Sequence, residues 1–424
     1  MIRFKKTVLD NGLTVVSEAH PQSHAVSMGI WVLTGTRDEP EADAGVSHFL
    51  EHMVFKGTKT RSAFQIAKSL EQLGGDLNAF TTRENTCYHA LVLKDHWKEG
   101  LEVLSDLVSG MDFSKEDYAL EKSVILQEIA MGDDNIEELV YDIYLEKSLP
   151  NSPLGKQILG TVASISAMKA SRLKQYYKSR YSGNNLILAA AGNIDHQDLV
   201  DEVIKLLGKK KKVRLPDLRK KPTHRSFRHV EERQVEQLHF LCGFPSASFK
   251  DKHRFEAFIV NALLGGGMTS RLYQSVRERK GLVYSIHSSL NTFDDFGLIN
   301  IYAACEPKNM KSVVTSVARE IQKAKKRGIT ASELKMYQTQ VSGAILLGSD
   351  DIDNRMQSIA VNEMVFGKYK PVEQVIEEIR SVTPKSVKEY FEKYIHTDSM
   401  GALLMGGKAE SLKDWFLEFD FKRG

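Results

Sequence analysis

The stretch His48-Phe49-Leu50-Glu51-His52 constrains this 424-residue chain more than any other five residues. The two histidines are four positions apart. On a helix that spacing sets both imidazoles on one face, one turn apart, where they can grip a single metal ion. Glu51 lies on the same side and can reach a water at the metal without ligating it. Neutral imidazoles suit borderline-soft zinc, and a carboxylate suits proton removal from water. Read in isolation, the same residues also describe an amphipathic helix with two hydrogen-bonded histidines.

A catalytic zinc site needs a third protein ligand and an open position. Residues 113 to 147 read as one long helix, with Ser114 as N-cap, Glu116 and Asp117 in the first turn, and apolar residues at helical spacing behind them. Glu121 and Glu128 sit two turns apart on it and so face the same way. One can bind a metal while the other orients a ligand. Without the upstream motif they would read as ordinary surface glutamates.

The order H-x-x-E-H is the inverted zinc-peptidase motif. Gly45-Val46-Ser47-His48-Phe49-Leu50-Glu51-His52-Met53-Val54-Phe55-Lys56-Gly57-Thr58 resembles the signature of the pitrilysin/insulinase family, most closely the short-chain branch that includes mitochondrial processing peptidase and its bacterial relatives. In that family the third ligand is a glutamate within an E-x6-E pair downstream, and Glu121 and Glu128 reproduce the pair. Leu154-Gly155-Lys156-Gln157-Ile158-Leu159-Gly160 and the segment 181–192 also resemble family segments. The resemblance implies His48, His52 and Glu128 as zinc ligands, Glu51 as the catalytic base and Glu121 as the orienting group.

Composition narrows the class. The 58 basic and 55 acidic residues nearly balance, so nothing points to nucleic acid or an anionic surface as the main partner. A 42% hydrophobic content supports sizeable cores, and no apolar run is long enough to span a membrane. Cys87, Cys242 and Cys305 are few and widely spaced, and read as reduced core or strand residues. The N-terminus runs into a strand pattern ending at Asn11-Gly12, with no charged leader and apolar stretch. A cytoplasmic protein is expected.

The basic run Gly208-Lys209-Lys210-Lys211-Lys212, followed by Pro216 and Pro222, divides the chain nearly in half. Without interleaved aromatics it reads as a solvated linker and a candidate hinge. The expected division is residues 1–208 as a zinc-binding domain, 209–228 as the basic linker and 229–424 as a second repeat without metal. Met131-Gly132-Asp133-Asp134 is echoed by Leu347-Gly348-Ser349-Asp350, Gly57-Thr58 by Gly267-Met268, and Gly75 by Gly281. At these offsets His48, Glu51 and His52 fall on Phe258, Asn261 and Ala262, and Glu121 and Glu128 on Tyr337 and Ala344. Period-2 stretches at 26–32, 186–191, 238–243 and 298–304 alternate with runs of helix. That predicts an α+β fold with mainly antiparallel sheets, and the resemblance implies two similar domains, each a sheet of about six strands packed by helices.

Gly74-Gly75-Asp76-Leu77-Asn78-Ala79-Phe80 suggests a turn into a strand not buried on both faces. By the resemblance this is an edge strand beside the zinc, to which a peptide adds along Asn78 and Ala79. On sequence alone Asn78 serves equally as a turn cap. In the second half, Arg277 and Tyr284 match a family pair that contacts substrate near the scissile bond, where a phenol can donate to an oxyanion. The resemblance implies that a two-domain chain completes its site with a partner. The expectation is a homodimeric clamshell, with Arg277 and Tyr284 supplied in trans and one zinc per chain, cleaving unfolded peptides or flexible termini. The alternatives are the catalytic subunit of a heteromeric processing peptidase and a non-catalytic scaffold subunit of the same fold.

Overall fold

The computed structural model describes residues 3–215 and 219–422; Pro216 lies outside the described residues. The chain forms two compact units, Met1–Met131 with Lys156–Lys220 and Leu347–Lys370, and Gly132–Gly155 with Lys221–Leu346 and Pro371–Gly424. Each unit takes one segment from the other half of the sequence.

The first unit is built on a sheet of six strands: β1 (Arg3–Val8), β2 (Thr14–Ala19), β3 (Ala25–Val32), β4 (Asp76–Thr81), β5 (Thr86–Leu93) and β6 (Leu186–Gly192). Their order is β1-β2-β6-β3-β5-β4. All neighbours are antiparallel except β2 and β6. Alternation along the strands sorts side chains to two faces. Val15, Met28, Ile30 and Tyr88 join the core formed with the motif helix Val46–Val54 and the helix Trp97–Gly110. Val16, Trp31, Cys87 and Ile187 face the other way, against Met356, Ile359 and Ala360 of the helix Ile352–Phe366. That helix comes from the far end of the chain. It seats over Gly29, where an added Cβ would lie 2.8 Å from Met356 Sδ. Arg355, almost fully buried, pins it with two bonds of 2.7 and 2.6 Å to Glu18 on β2.

The second unit repeats the plan with five strands: β7 (Phe227–Glu232), β8 (Leu238–Ser246), β9 (Ser285–Thr292), β10 (Gly297–Cys305) and β11 (Gly401–Gly406). The order β7-β11-β8-β10-β9 is that of the first sheet without a counterpart of β1, and β7–β11 is again the parallel pair. One face carries the larger core with helix Arg254–Leu264. The other is covered by helix Ile136–Ser148 from the first half, whose Tyr144 joins Leu241, Leu298 and Leu403. The α+β class and the repeated domain plan are as expected, with mixed sheets of six and five strands.

The single helix expected over 113–147 is instead two, Lys115–Asp134 and Ile136–Ser148, separated at Asn135. Gly132, Asp133 and Asp134 are poor helix interiors, and Asn135 leaves helical geometry at ψ 88°. The break falls where the chain passes from the first unit to the second. The helix Ala331–Gly348 begins 216 positions after Lys115, as the echo of Met131-Gly132-Asp133-Asp134 requires. All three cysteines are free and buried. No helix among the described residues is long and apolar enough to cross a membrane.

Candidate metal centre

The motif helix starts at Val46 because Gly45 turns the chain with φ +89°, and a Cβ there would come 2.5 Å from the Leu159 carbonyl oxygen. The helix N-terminus is held by Glu39, whose two oxygens accept from the amides of Gly45 and Ser47 at 2.8 Å each. Burial pushes the Glu39 carboxyl up to about 8, against the lowering effect of those bonds. Phe49, Leu50 and Met53 are fully buried and fix the helix rotation. The remaining face carries His48, Glu51 and His52.

The glutamate helix Lys115–Asp134 anchors Ile125 and Ile129 in the same core and turns Glu121 and Glu128 toward the histidines. Glu128 Oε2 lies 3.5 Å from His52 Nε2 and 3.9 Å from His48 Nε2. The three donor atoms lie within 4.8 Å of one another. Ligands of one tetrahedral zinc at bond lengths of about 2.0–2.2 Å stand about 3.3–3.5 Å apart, so small side-chain adjustments close the cradle. Two further observations fit a metal. Glu128 Oε2 is buried without a hydrogen bond. His48 is driven down to about 3 by burial and by the charge of His52, so its imidazole is neutral and has a lone pair to offer.

The surrounding groups orient this face. Glu121, nearly fully buried, accepts from His52 Nδ1 at 3.0 Å and so orients the ring with Nε2 toward Glu128. Lys56 Nζ pairs with the other Glu121 oxygen at 2.5 Å. Thr81 donates its hydroxyl to Glu51 Oε2, also at 2.5 Å. The Glu51 carboxyl is raised by burial and, to a smaller extent, by Glu128, while Thr81 and His52 act in the opposite direction. Glu39, Lys56 and Thr81 stand out through no motif arithmetic. For Glu39 and Thr81 only the fold brings them to the site, whereas Lys56 follows His52 by four positions.

Beside this face runs β4, the sheet's edge strand, paired with β5 and packed against the motif helix. Asn78 is a strand residue and not a turn cap; its Oδ1 accepts from the Ala79 amide at 2.8 Å. Arg277 and Tyr284 lie in the second unit. Arg277 lies in a π-helical turn, Tyr273–Glu278, with its guanidinium 4.9 Å from the Tyr273 ring centre and 5.8 Å from that of Tyr284. Tyr284 is 79% exposed.

His48, His52 and Glu128 form a candidate metal site on a duplicated α+β fold, with Glu51 beside it and the edge strand β4 alongside. The comparisons agree. Residues 14–162 match the family described as Insulinase (Peptidase family M16), and residues 167–341 match the Peptidase M16 inactive domain. The chain belongs to peptidase family M16. It is 35% identical to an uncharacterized zinc protease of Streptomyces coelicolor over 91% of this chain and 85% of that one. It is 33% identical to an uncharacterized zinc protease of Bacillus subtilis over 90% of this chain and 93% of that one. Among solved structures, a protease from Helicobacter pylori superposes with a TM-score of 0.89 at 18% identity, over 96% of this chain and all of that one. An M16 inactive-domain structure from Pseudomonas fluorescens gives 0.89 at 17%, over 96% of this chain and 98% of that one.

Proposed function

We propose that this chain is a zinc-dependent endopeptidase acting on unfolded peptides and flexible protein termini. The observation that carries the reading is the convergence of His48 Nε2, His52 Nε2 and Glu128 Oε2 beside Glu51 and a free strand edge. A zinc ion held by these three groups would supply Lewis acidity and lower the pKa of water.

The chain's own residues do the rest. A peptide adds to β4 as a further strand, bonding backbone groups around Asn78 and Ala79, so recognition tolerates many sequences. Glu51 takes the proton from the attacking water and returns it to the leaving amine. Glu121 holds His52 in the tautomer that presents Nε2. Arg277 grips a substrate carbonyl, and the Tyr284 phenol donates to the oxyanion of the attacked carbonyl. The exposure of Tyr284 supports supply of this pair to a second copy, in a homodimer with two symmetric sites.

The test is cleavage of an unstructured peptide by Glu51→Gln, by the Arg277→Ala/Tyr284→Phe double variant, and by their mixture after subunit exchange. Two inactive variants that regain activity on mixing establish a shared peptidase site. Confirmed exchange without recovery removes the shared site. Wild type that binds zinc and cleaves nothing, alone or with a paralogue, would make the chain a non-catalytic subunit.

A further inference from the structure

Glu51 must present one carboxylate oxygen to water and keep it there through the reaction. The motif helix fixes the Glu51 backbone but not the rotation of its carboxylate. One strand residue does fix it. Thr81, the last residue of β4, reaches across from the sheet edge and donates to Oε2 at 2.5 Å. An ionised carboxylate is an acceptor only, so the Thr81 proton must point at Glu51. The neighbouring hydroxyl does not compete for that acceptor: Thr86 Oγ1 lies 3.5 Å from Thr81 Oγ1 and donates to the Thr34 carbonyl at 3.2 Å. No group of the described residues bonds Glu51 Oε1 in this way.

We propose that Thr81 is a positioning residue that makes the two oxygens of Glu51 inequivalent, holding Oε2 and leaving Oε1 as the proton-accepting atom. The inference rests on the peptidase reading above. In the step it serves, a water O–H breaks and its proton goes to Oε1, while the water oxygen forms the new bond to the carbonyl carbon. The proton on Oε1 then passes to the amine nitrogen as the C–N bond breaks. Thr81 keeps its own proton throughout. Its position is also informative. It terminates the strand to which the substrate would add, so one residue ties the substrate's register to the orientation of the base.

The experiment compares wild type, Thr81→Val and Thr81→Ser as zinc-loaded full chains on one unstructured peptide, reading kcat and KM separately together with bound zinc and Tm. Val keeps the β-branched shape and removes the hydroxyl; Ser restores it. A lost hydrogen bond to a charged group corresponds to a fall of about 10- to 100-fold. The expected result is a fall of that size in kcat for Thr81→Val, with KM, zinc content and Tm near wild type, and recovery in Thr81→Ser. A kcat within about twofold of wild type overturns the proposal. So does a fall matched by lost zinc or Tm that Ser fails to restore. If Thr81→Val does not fold, Thr81→Ala against Thr81→Ser decides in the same way. Wild type that cleaves nothing would instead overturn the peptidase reading, a different result.

Discussion

Lys56 and His52 hold opposite oxygens of one buried carboxylate. Lys56 Nζ lies 2.5 Å from Glu121 Oε1, and His52 Nδ1 lies 3.0 Å from Glu121 Oε2. The lysine is four positions after the histidine, in the turn that follows the motif helix, and the pair clamps Glu121 from two sides. Glu121 is thereby fixed between the two side chains and orients the His52 ring.

That relation gives the first prediction. Glu121→Gln weakens zinc affinity by about 10- to 100-fold, the usual cost of losing a group that orients a ligand. Lys56→Met produces a smaller loss in the same direction. Competition against a chromogenic chelator measures both. Unchanged affinity in Glu121→Gln would remove the orienting role.

Ligand and base separate in a second experiment. Glu128→Gln should lose bound zinc. Glu51→Gln should retain zinc while kcat falls by at least about 100-fold. Metal content by atomic emission, set beside peptide cleavage, distinguishes them. Activity removed by chelation should return on adding zinc to wild type and not to Glu51→Gln.

The buried pair Arg355–Glu18 predicts an acid-sensitive fold. Burial pushes the Glu18 carboxyl up, but hydrogen bonds from His20, Arg355 and Tyr369 and the Arg355 charge outweigh it, and the group settles at about 2 against an ordinary 4.5. A depressed carboxylate stabilises the fold above its unfolded pKa and loses that contribution as pH falls through the folded one. The window is therefore from about pH 4.5 down to about 2, and the contribution at neutral pH is about 3 kcal/mol. Arg355→Met should cost about 3–5 kcal/mol at pH 7. Its Tm gap to wild type should narrow as pH falls through that window. A gap that stays constant with pH would rule out the charge as the source.

Gly45→Ala places a methyl against the Leu159 carbonyl in a backbone conformation that alanine disfavours. The conformation alone costs about 1–3 kcal/mol. The strain falls at the first turn of the motif helix, so zinc affinity should drop together with Tm. Loss of Tm with zinc binding intact would show that the helix start and the metal face are independent.

The local part of the centre was legible in the sequence, and its surroundings were not. His48, Glu51 and His52 are set by helical spacing within five residues. Glu121 and Glu128 needed the two-turn spacing together with a family resemblance to stand out from other surface glutamates. The strands at 26–32 and 186–191 are legible as short apolar runs, as expected of strands buried on both faces. The break at Asn135 is hidden in the sequence because apolar positions keep helical spacing on both sides of it. The Arg355–Glu18 pair joins residues 337 positions apart, and no local pattern encodes such a contact. Thr81 and Glu39 are similar cases: each acts through a neighbour that the fold brings to it.

The exchange of helices has a consequence for how the chain is made. β6 completes the first sheet at Gly192, but the helix covering its second face ends at Phe366. At about 5–20 residues per second, a ribosome needs roughly 9–35 s to cover that distance. Through that interval the nascent sheet carries Val16, Trp31, Ile187 and Ala191 on an uncovered face. The expectation is that folding of the first unit waits on the segment Leu347–Lys370 and that the motif-bearing half does not fold when made alone. Residues 1–220 made as a fragment should aggregate, and co-expression with a peptide spanning residues 347–370 should restore solubility. A soluble, cooperatively melting fragment would show that the sheet tolerates its bare face.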